Sequence, residues 1–174
     1  MKKSLSGLLM FLASVAVGPG LTNGQQPAVP AAYTEAVRVM RAHKFCENDI
    51  KSFVHRVFGM YDKHVPVKEF LPLLADKGLE MKFPEATLRS HADFKRWYAD
   101  GGRNFESNTH ILERVDVRFP GDGRYLVDLV VFWQAVGKDG KYVSFRAHQV
   151  WTLENGSGKE PRILTYLVEA APTV

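Results

Sequence analysis

Along this chain the hydrophobic positions change their period once, near Phe105, and that change divides the fold. Before it the spacing is helical. Ile50, Phe53, Val54, Val57, Phe58 and Tyr61 recur at i, i+3, i+4, i+7, i+8 and i+11, the pattern of one apolar helix face, with Asn48 and Asp49 in front as the expected cap. A leading helix is predicted over 31–44, and a helical piece opened by Val65-Pro66 and divided at Pro72, with Gly78 as its stop. Leu79, Met81 and Phe83 alternate with Glu80 and Lys82 as a short strand that Pro84 terminates. Ser90-His91-Ala92-Asp93 has the form of a capping box before a helix bearing Phe94, Trp97 and Tyr98, which Gly101-Gly102 is expected to end.

Beyond Phe105 the period is two. Turn signals at Pro120-Gly121-Asp122-Gly123, Gly137-Lys138-Asp139-Gly140 and Asn155-Gly156-Ser157-Gly158 separate strands expected at 107–119, 124–136, 141–153 and 162–169. Loops this short make neighbouring strands antiparallel, and strands this long must twist and coil. Helices first and a meander afterwards is an α+β order, in which a curved sheet closed by helices leaves a cavity on its concave side.

Charge and composition narrow the function. The chain has 174 residues, 45% of them hydrophobic, which suits one domain built on one core. Lys2 and Lys3 precede an apolar run over 5–17 and then Gly18-Pro19-Gly20, the layout of a secretory signal, too short for a comfortable membrane span. The expected division is a signal peptide over 1–24, a linker and leading helix over 25–47, and the folded domain over 48–170, exported to the periplasm or secreted. Without Lys2 and Lys3 the formal charge of +4 falls to +2, and the remaining basic residues are dispersed among acids, so neither nucleic acid nor, once the signal is gone, a membrane is an expected partner. Cys46 is the sole cysteine, which excludes an internal disulfide and a thiolate metal cluster. His43, His55, His64, His91 and His148 fall at no metal-ligand spacing, and there is no phosphate loop or serine-nucleophile elbow, so no metal or other cofactor is expected.

The segment from Asp49 to Val168 resembles the NTF2-like superfamily, and within it the SnoaL-like branch. The resemblance is carried by the helix ending in Tyr61-Asp62, the phrase Phe70-Leu71-Pro72-Leu73-Leu74-Ala75-Asp76, the helix with Phe94, Trp97 and Tyr98, the strand with His110, and Trp151-Thr152-Leu153 before a Gly-rich hairpin. It implies a cone of N-terminal helices packed on a strongly curved antiparallel sheet, with a small-molecule pocket inside. It does not imply one reaction, since the superfamily spans isomerases, dehydratases, cyclases, hydrolases and transport factors. The positions that carry the ketosteroid isomerase machinery fall near Phe83, Phe58 and Arg146, none of which suits it. Scytalone dehydratase is matched more closely: its Tyr-Asp pair and one histidine correspond to Tyr61, Asp62 and His110, whereas its second His and second Tyr fall near Trp133-Gln134 and at Phe83.

These residues define the candidate site. His110 in an apolar cavity could exchange protons near neutral pH, with Asp62 fixing its tautomer and Tyr61 donating to a substrate oxygen; the alternative is a satisfied core histidine beside a loop-capping Asp62. Gln134 and Gln149 interrupt apolar strands and point either to a ligand or to each other. Trp97, Tyr98, Trp151 and Tyr166 offer flat walls for a ring, or fill the cone as core. Three functions are in play: a binding module for a small apolar or aromatic molecule, a cofactor-free lyase or isomerase using His110 with Asp62 and Tyr61, and an interaction unit that homodimerises through the convex sheet face.

Overall fold

The computed structural model describes residues 28–170; the expected signal segment lies outside them. The helices are α1 (Ala31–Ala42), α2 (Glu47–Asp62) and α3 (His91–Asn104). Two short strands, β1 (Glu80–Lys82) and β2 (Thr87–Leu88), precede α3, and four long ones come after it: β3 (Phe105–Gly121), β4 (Arg124–Gly137), β5 (Tyr142–Asn155) and β6 (Pro161–Ala170).

The strands form one curled, unclosed sheet in the order β2-β1-β6-β5-β4-β3. The last four make the expected antiparallel meander, and β1 joins β6 in parallel with Met81 opposite Tyr166. Irregularities in the β3–β4 register, among them one between Leu112 and Arg114, are the bulges by which so long a strand bends. One sheet face carries Leu112, Val115, Val127, Leu129, Val131, Trp151, Leu153, Ile163 and Tyr166, and it packs against α2, whose Ile50, Phe53, Val54, Val57, Phe58 and Tyr61 are all buried as their spacing requires. This is the expected α+β cone. The leading helix α1 buries none of its residues.

Local details depart from expectation for identifiable reasons. The N-cap of α2 is Cys46, not Asn48 or Asp49; Asp49 sits at the third helical position and accepts from the Cys46 N–H at 2.9 Å, closing the box from the other side. The piece after Val65-Pro66 is two single 3-10 turns, Val67–Glu69 and Leu71–Leu73, because Pro72 has no N–H to continue an α-helix. Helix α3 runs through Gly101-Gly102 to Asn104. Neither glycine adopts the positive φ that would make it a stop, and the Phe105 N–H still bonds to the Gly101 carbonyl. The strand at Thr87–Leu88 has no counterpart among the expected elements; it is too short to show a period.

Candidate functional site

A cluster of hydrogen-bonded polar side chains gathers where α2 ends against the start of β3. The last turn of α2 places Tyr61 on the buried face and Asp62 beside it at the rim. The helix closes with a Schellman arrangement, Val65 N–H to Met60 carbonyl and His64 N–H to Tyr61 carbonyl, with His64 in the left-handed region at φ 49°. On β3, Asn108 and His110 are two residues apart and so share the inward face, opposite Ala135 and Trp133 of β4.

His110 Nδ1 lies 2.6 Å from Asp62 Oδ1, and the His110 backbone N–H donates to Asp62 Oδ2 at 3.3 Å. A carboxylate only accepts, so Nδ1 carries the hydrogen, and in the neutral ring Nε2 is the lone pair; Nε2 has no hydrogen-bond partner among the described residues. The side chains of His110 and Asp62 retain 14% and 28% exposure, so the pair is partly open to solvent rather than sealed in the core. The inner side of the imidazole faces rings: Phe58 at 4.9 Å and Tyr61 at 5.9 Å between centroids.

Tyr61 is buried among Phe70, Trp97, Tyr98 and His110, and its hydroxyl has no hydrogen-bond partner among the described residues. Burial, with Tyr98 nearby, pushes its phenol far above the ordinary tyrosine value, so it stays protonated, able to donate a hydrogen bond, at any working pH. Tyr166 is likewise raised, first by burial and then by Tyr61, against an opposing hydrogen bond from Gln149.

The remaining expected site residues divide. Trp151 is wholly buried, stacks on Tyr166 at 4.5 Å, and donates its indole N–H to Gln149 Oε1 at 3.1 Å, so Gln149 serves the interior wall. Tyr98 donates to the Val65 carbonyl at 2.7 Å. Trp97 stacks on Phe83 at 4.1 Å and donates to Glu85. Gln134 does not join them. It stands on the opposite sheet face, where it accepts from the Tyr142 hydroxyl at 2.8 Å; alternation counted from Val131 puts it there. Gln134 and Gln149 therefore do not meet.

Two surface depressions, of about 370 Å³ along Lys95, Arg96 and Arg103 and about 240 Å³ beside Glu80, Lys82 and Leu167, lie away from the His110–Asp62 pair. No cluster of three metal-ligating side chains occurs among the described residues. Two polar residues at the site escape sequence reasoning. Asn108 donates to Asp62 Oδ1 at 3.4 Å, and His64 Nε2 lies 2.5 Å from Asn108 Oδ1. A polar residue at the inward position two before His110 is the available signal.

No family model matches the chain, and no curated protein does. Solved structures do match in fold. An NTF2-like superfamily protein from Salmonella enterica serovar Typhimurium superposes with a TM-score of 0.63 at 13% identity, over 82% of this chain and 95% of that one. A scytalone dehydratase-like protein from Novosphingobium aromaticivorans gives 0.66 at 15% identity, over 80% and 89%. The hub domain of an S. rosetta CaMKII gives 0.61 at 11%, over 71% and 95%. The chain has the NTF2-like fold, and at these identities the likeness extends to the fold alone.

Proposed function

We propose that this protein is a cofactor-free acid–base catalyst of the lyase or isomerase kind, acting on a small apolar or aromatic molecule that presents an oxygen to Tyr61. The observation that carries the reading is the 2.6 Å contact between His110 Nδ1 and Asp62 Oδ1 beside a buried, unpartnered tyrosine hydroxyl. In this reading His110 Nε2 removes a proton from carbon next to a carbonyl. Asp62 holds the ring orientation and offsets the charge of the imidazolium. Tyr61 donates to the oxygen on which negative charge builds, and the protonated ring then returns its proton to carbon or to a departing hydroxyl. Trp97 and Tyr98, the partly exposed rings beside Tyr61, would meet such a substrate, while the buried Trp151 and Tyr166 serve as core. The scytalone dehydratase-like neighbour is in keeping with this chemistry, and the binding-module alternative uses the same groups without turnover.

The test is hydrogen–deuterium exchange at the α-carbon of a panel of aryl ketones and aromatic β-hydroxy ketones in D2O, monitored by NMR. Wild-type protein should accelerate exchange for some members, and His110→Ala should lose about 100-fold or more of that acceleration. Equal exchange with wild type and His110→Ala across the panel would overturn the catalytic reading; retained binding would then leave a carrier.

A second feature favours self-association. The outer sheet face exposes Ile111 at 50% and Tyr142 at 60%, alongside Val130, Phe132 and Val150. We propose a homodimer through this face, with native mass spectrometry as its check, and export directed by the segment over 1–24, checked by the N-terminus of protein recovered from outside the cytoplasm.

A further inference from the structure

We propose that Asn108 and His64 are positioning residues for the His110–Asp62 pair, and that His64 occupies its backbone position for this purpose. The inference rests on the acid–base reading above. Its starting point is a conflict at the end of α2. The residue that closes a Schellman motif adopts left-handed dihedrals, where a Cβ is unfavourable and glycine or asparagine is the usual occupant. Here the occupant is His64, at φ 49°. Its side chain is exposed, so burial of the imidazole does not explain the choice.

What the imidazole does is hold an amide. His64 Nε2 is 2.5 Å from Asn108 Oδ1, and Asn108 Nδ2 is 3.4 Å from Asp62 Oδ1, the oxygen that also meets His110 Nδ1. The donors and acceptors can be assigned without ambiguity of direction. Asp62 only accepts, so Asn108 must turn its NH2 toward it; Asn108 Oδ1 then faces His64, which must donate from Nε2. The chain reads His64 N–H to Asn108 carbonyl, Asn108 N–H to Asp62 carboxylate, and His110 N–H to the same carboxylate. Of the His64 ring it uses only Nε2–H. Asp62 stands at the last residue of α2, where the His110 backbone N–H holds Oδ2 at 3.3 Å while Oδ1, the oxygen that meets His110 Nδ1, needs a donor of its own to keep its direction. Asn108 supplies that donor from the same strand as His110, so the carboxylate is aligned to β3 rather than to its own helix.

His110 tautomer composition, read from imidazole 15N shifts at a pH where the ring is neutral, tests this without knowledge of a substrate. In wild type the Nδ1–H form should dominate, because Asp62 accepts from it. Asp62→Ala should invert the ratio toward the Nε2–H form that free imidazoles prefer. Asn108→Ala and His64→Gly should each lower the Nδ1–H fraction to an intermediate value. His64→Gly should at the same time keep or raise the melting temperature, by about 2 °C, since glycine suits the left-handed position. A residue with a merely structural role would move stability and leave the tautomer alone.

The failures are separable. If Asp62→Ala leaves the tautomer unchanged, the His110–Asp62 pair itself is wrong and the acid–base reading falls with it. If Asp62→Ala inverts the ratio while His64→Gly and Asn108→Ala both retain the wild-type tautomer, the pair stands and the positioning role is overturned. Should Asn108→Ala fold poorly, His64→Gly decides alone.

Discussion

Helix α2 has a buried tyrosine at each end, and the two are treated in opposite ways. At its N-terminal end the Tyr125 hydroxyl accepts from the Phe45 N–H at 3.2 Å and donates to Asn155 Oδ1 at 2.7 Å. Lys44 beside it donates to the Gly156 and Gly158 carbonyls at 2.9 and 2.8 Å, tying the chain ahead of α2 to the β5–β6 hairpin. At the C-terminal end the Tyr61 hydroxyl has no partner among the described residues, yet it lies within a cluster of rings and next to the His110–Asp62 pair. Leaving a buried hydroxyl unpaired costs about 1–3 kcal/mol relative to satisfying it. One end of the cone satisfies its buried hydroxyl; the other keeps a buried donor with no partner among the described residues.

Removing the oxygen at the satisfied end is the most damaging way to probe this contrast. Tyr125→Phe strands the buried Phe45 N–H and removes the donor to Asn155 Oδ1, and an unfolding free energy lower by about 1–3 kcal/mol is expected from urea denaturation at constant m-value. A loss below about half a kcal/mol would mean that water replaces the hydroxyl and that the two ends differ less than their geometry implies.

Alkaline pH probes the same difference with an effect of about 1.4 kcal/mol per pH unit for each retained proton. Burial raises Tyr61, Tyr166 and Tyr125 above the ordinary value of 10.0, although the backbone groups of Phe45 and Lys44 oppose the rise at Tyr125. The native state then keeps phenolic protons that the unfolded chain releases. Stability is therefore complete below about pH 10 and declines as pH climbs beyond it. Tyr61→Phe should flatten this decline more than Tyr125→Phe, as tracked by denaturant midpoints between about pH 9 and 11. Equal slopes in the two variants would show that Tyr61 is not the more deeply shielded phenol.

The contrast is only half legible in the sequence. The apolar stripe from Ile50 to Tyr61 specifies both the helix and its buried face, and the alternation after Phe105 specifies the meander, because each is a repeated signal with many residues behind it. His110, Asp62 and Tyr61 stand out together through the Tyr-Asp pair and the strand histidine that carry the family resemblance, and the structure joins the first two by a hydrogen bond. Gln134 is misread because its apolar neighbours Val130, Phe132 and Val136 do not mark the interior: counted from the buried Val131, Gln134 falls on the outer face with Val130 and Phe132. Asn108 and His64 are out of reach because their partnership joins a helix terminus to a strand 44 residues away, and no periodicity encodes a contact of that kind. The reach of α3 past Gly101-Gly102 shows that glycine ends a helix only where the chain needs a positive φ, and here the entry into β3 does not need one.

The smallest expected effect sharpens the comparison most. Tyr61→Phe removes a hydroxyl that has no partner among the described residues, so the ring packing against Phe70 at 4.7 Å is kept while an unmet polar group disappears. Stability should be unchanged or rise by up to about 1 kcal/mol, the reverse in sign of Tyr125→Phe, although the two substitutions are chemically identical. If the hydroxyl is held for a substrate oxygen, the same variant should bind or turn over its ketone less well while melting no lower. A protein made more stable by the loss of one oxygen, and poorer in function for it, has that oxygen for a reason other than folding. Destabilisation of Tyr61→Phe by more than about 1 kcal/mol would instead mean that the hydroxyl is paired within the fold, and the asymmetry between the two ends of α2 would vanish.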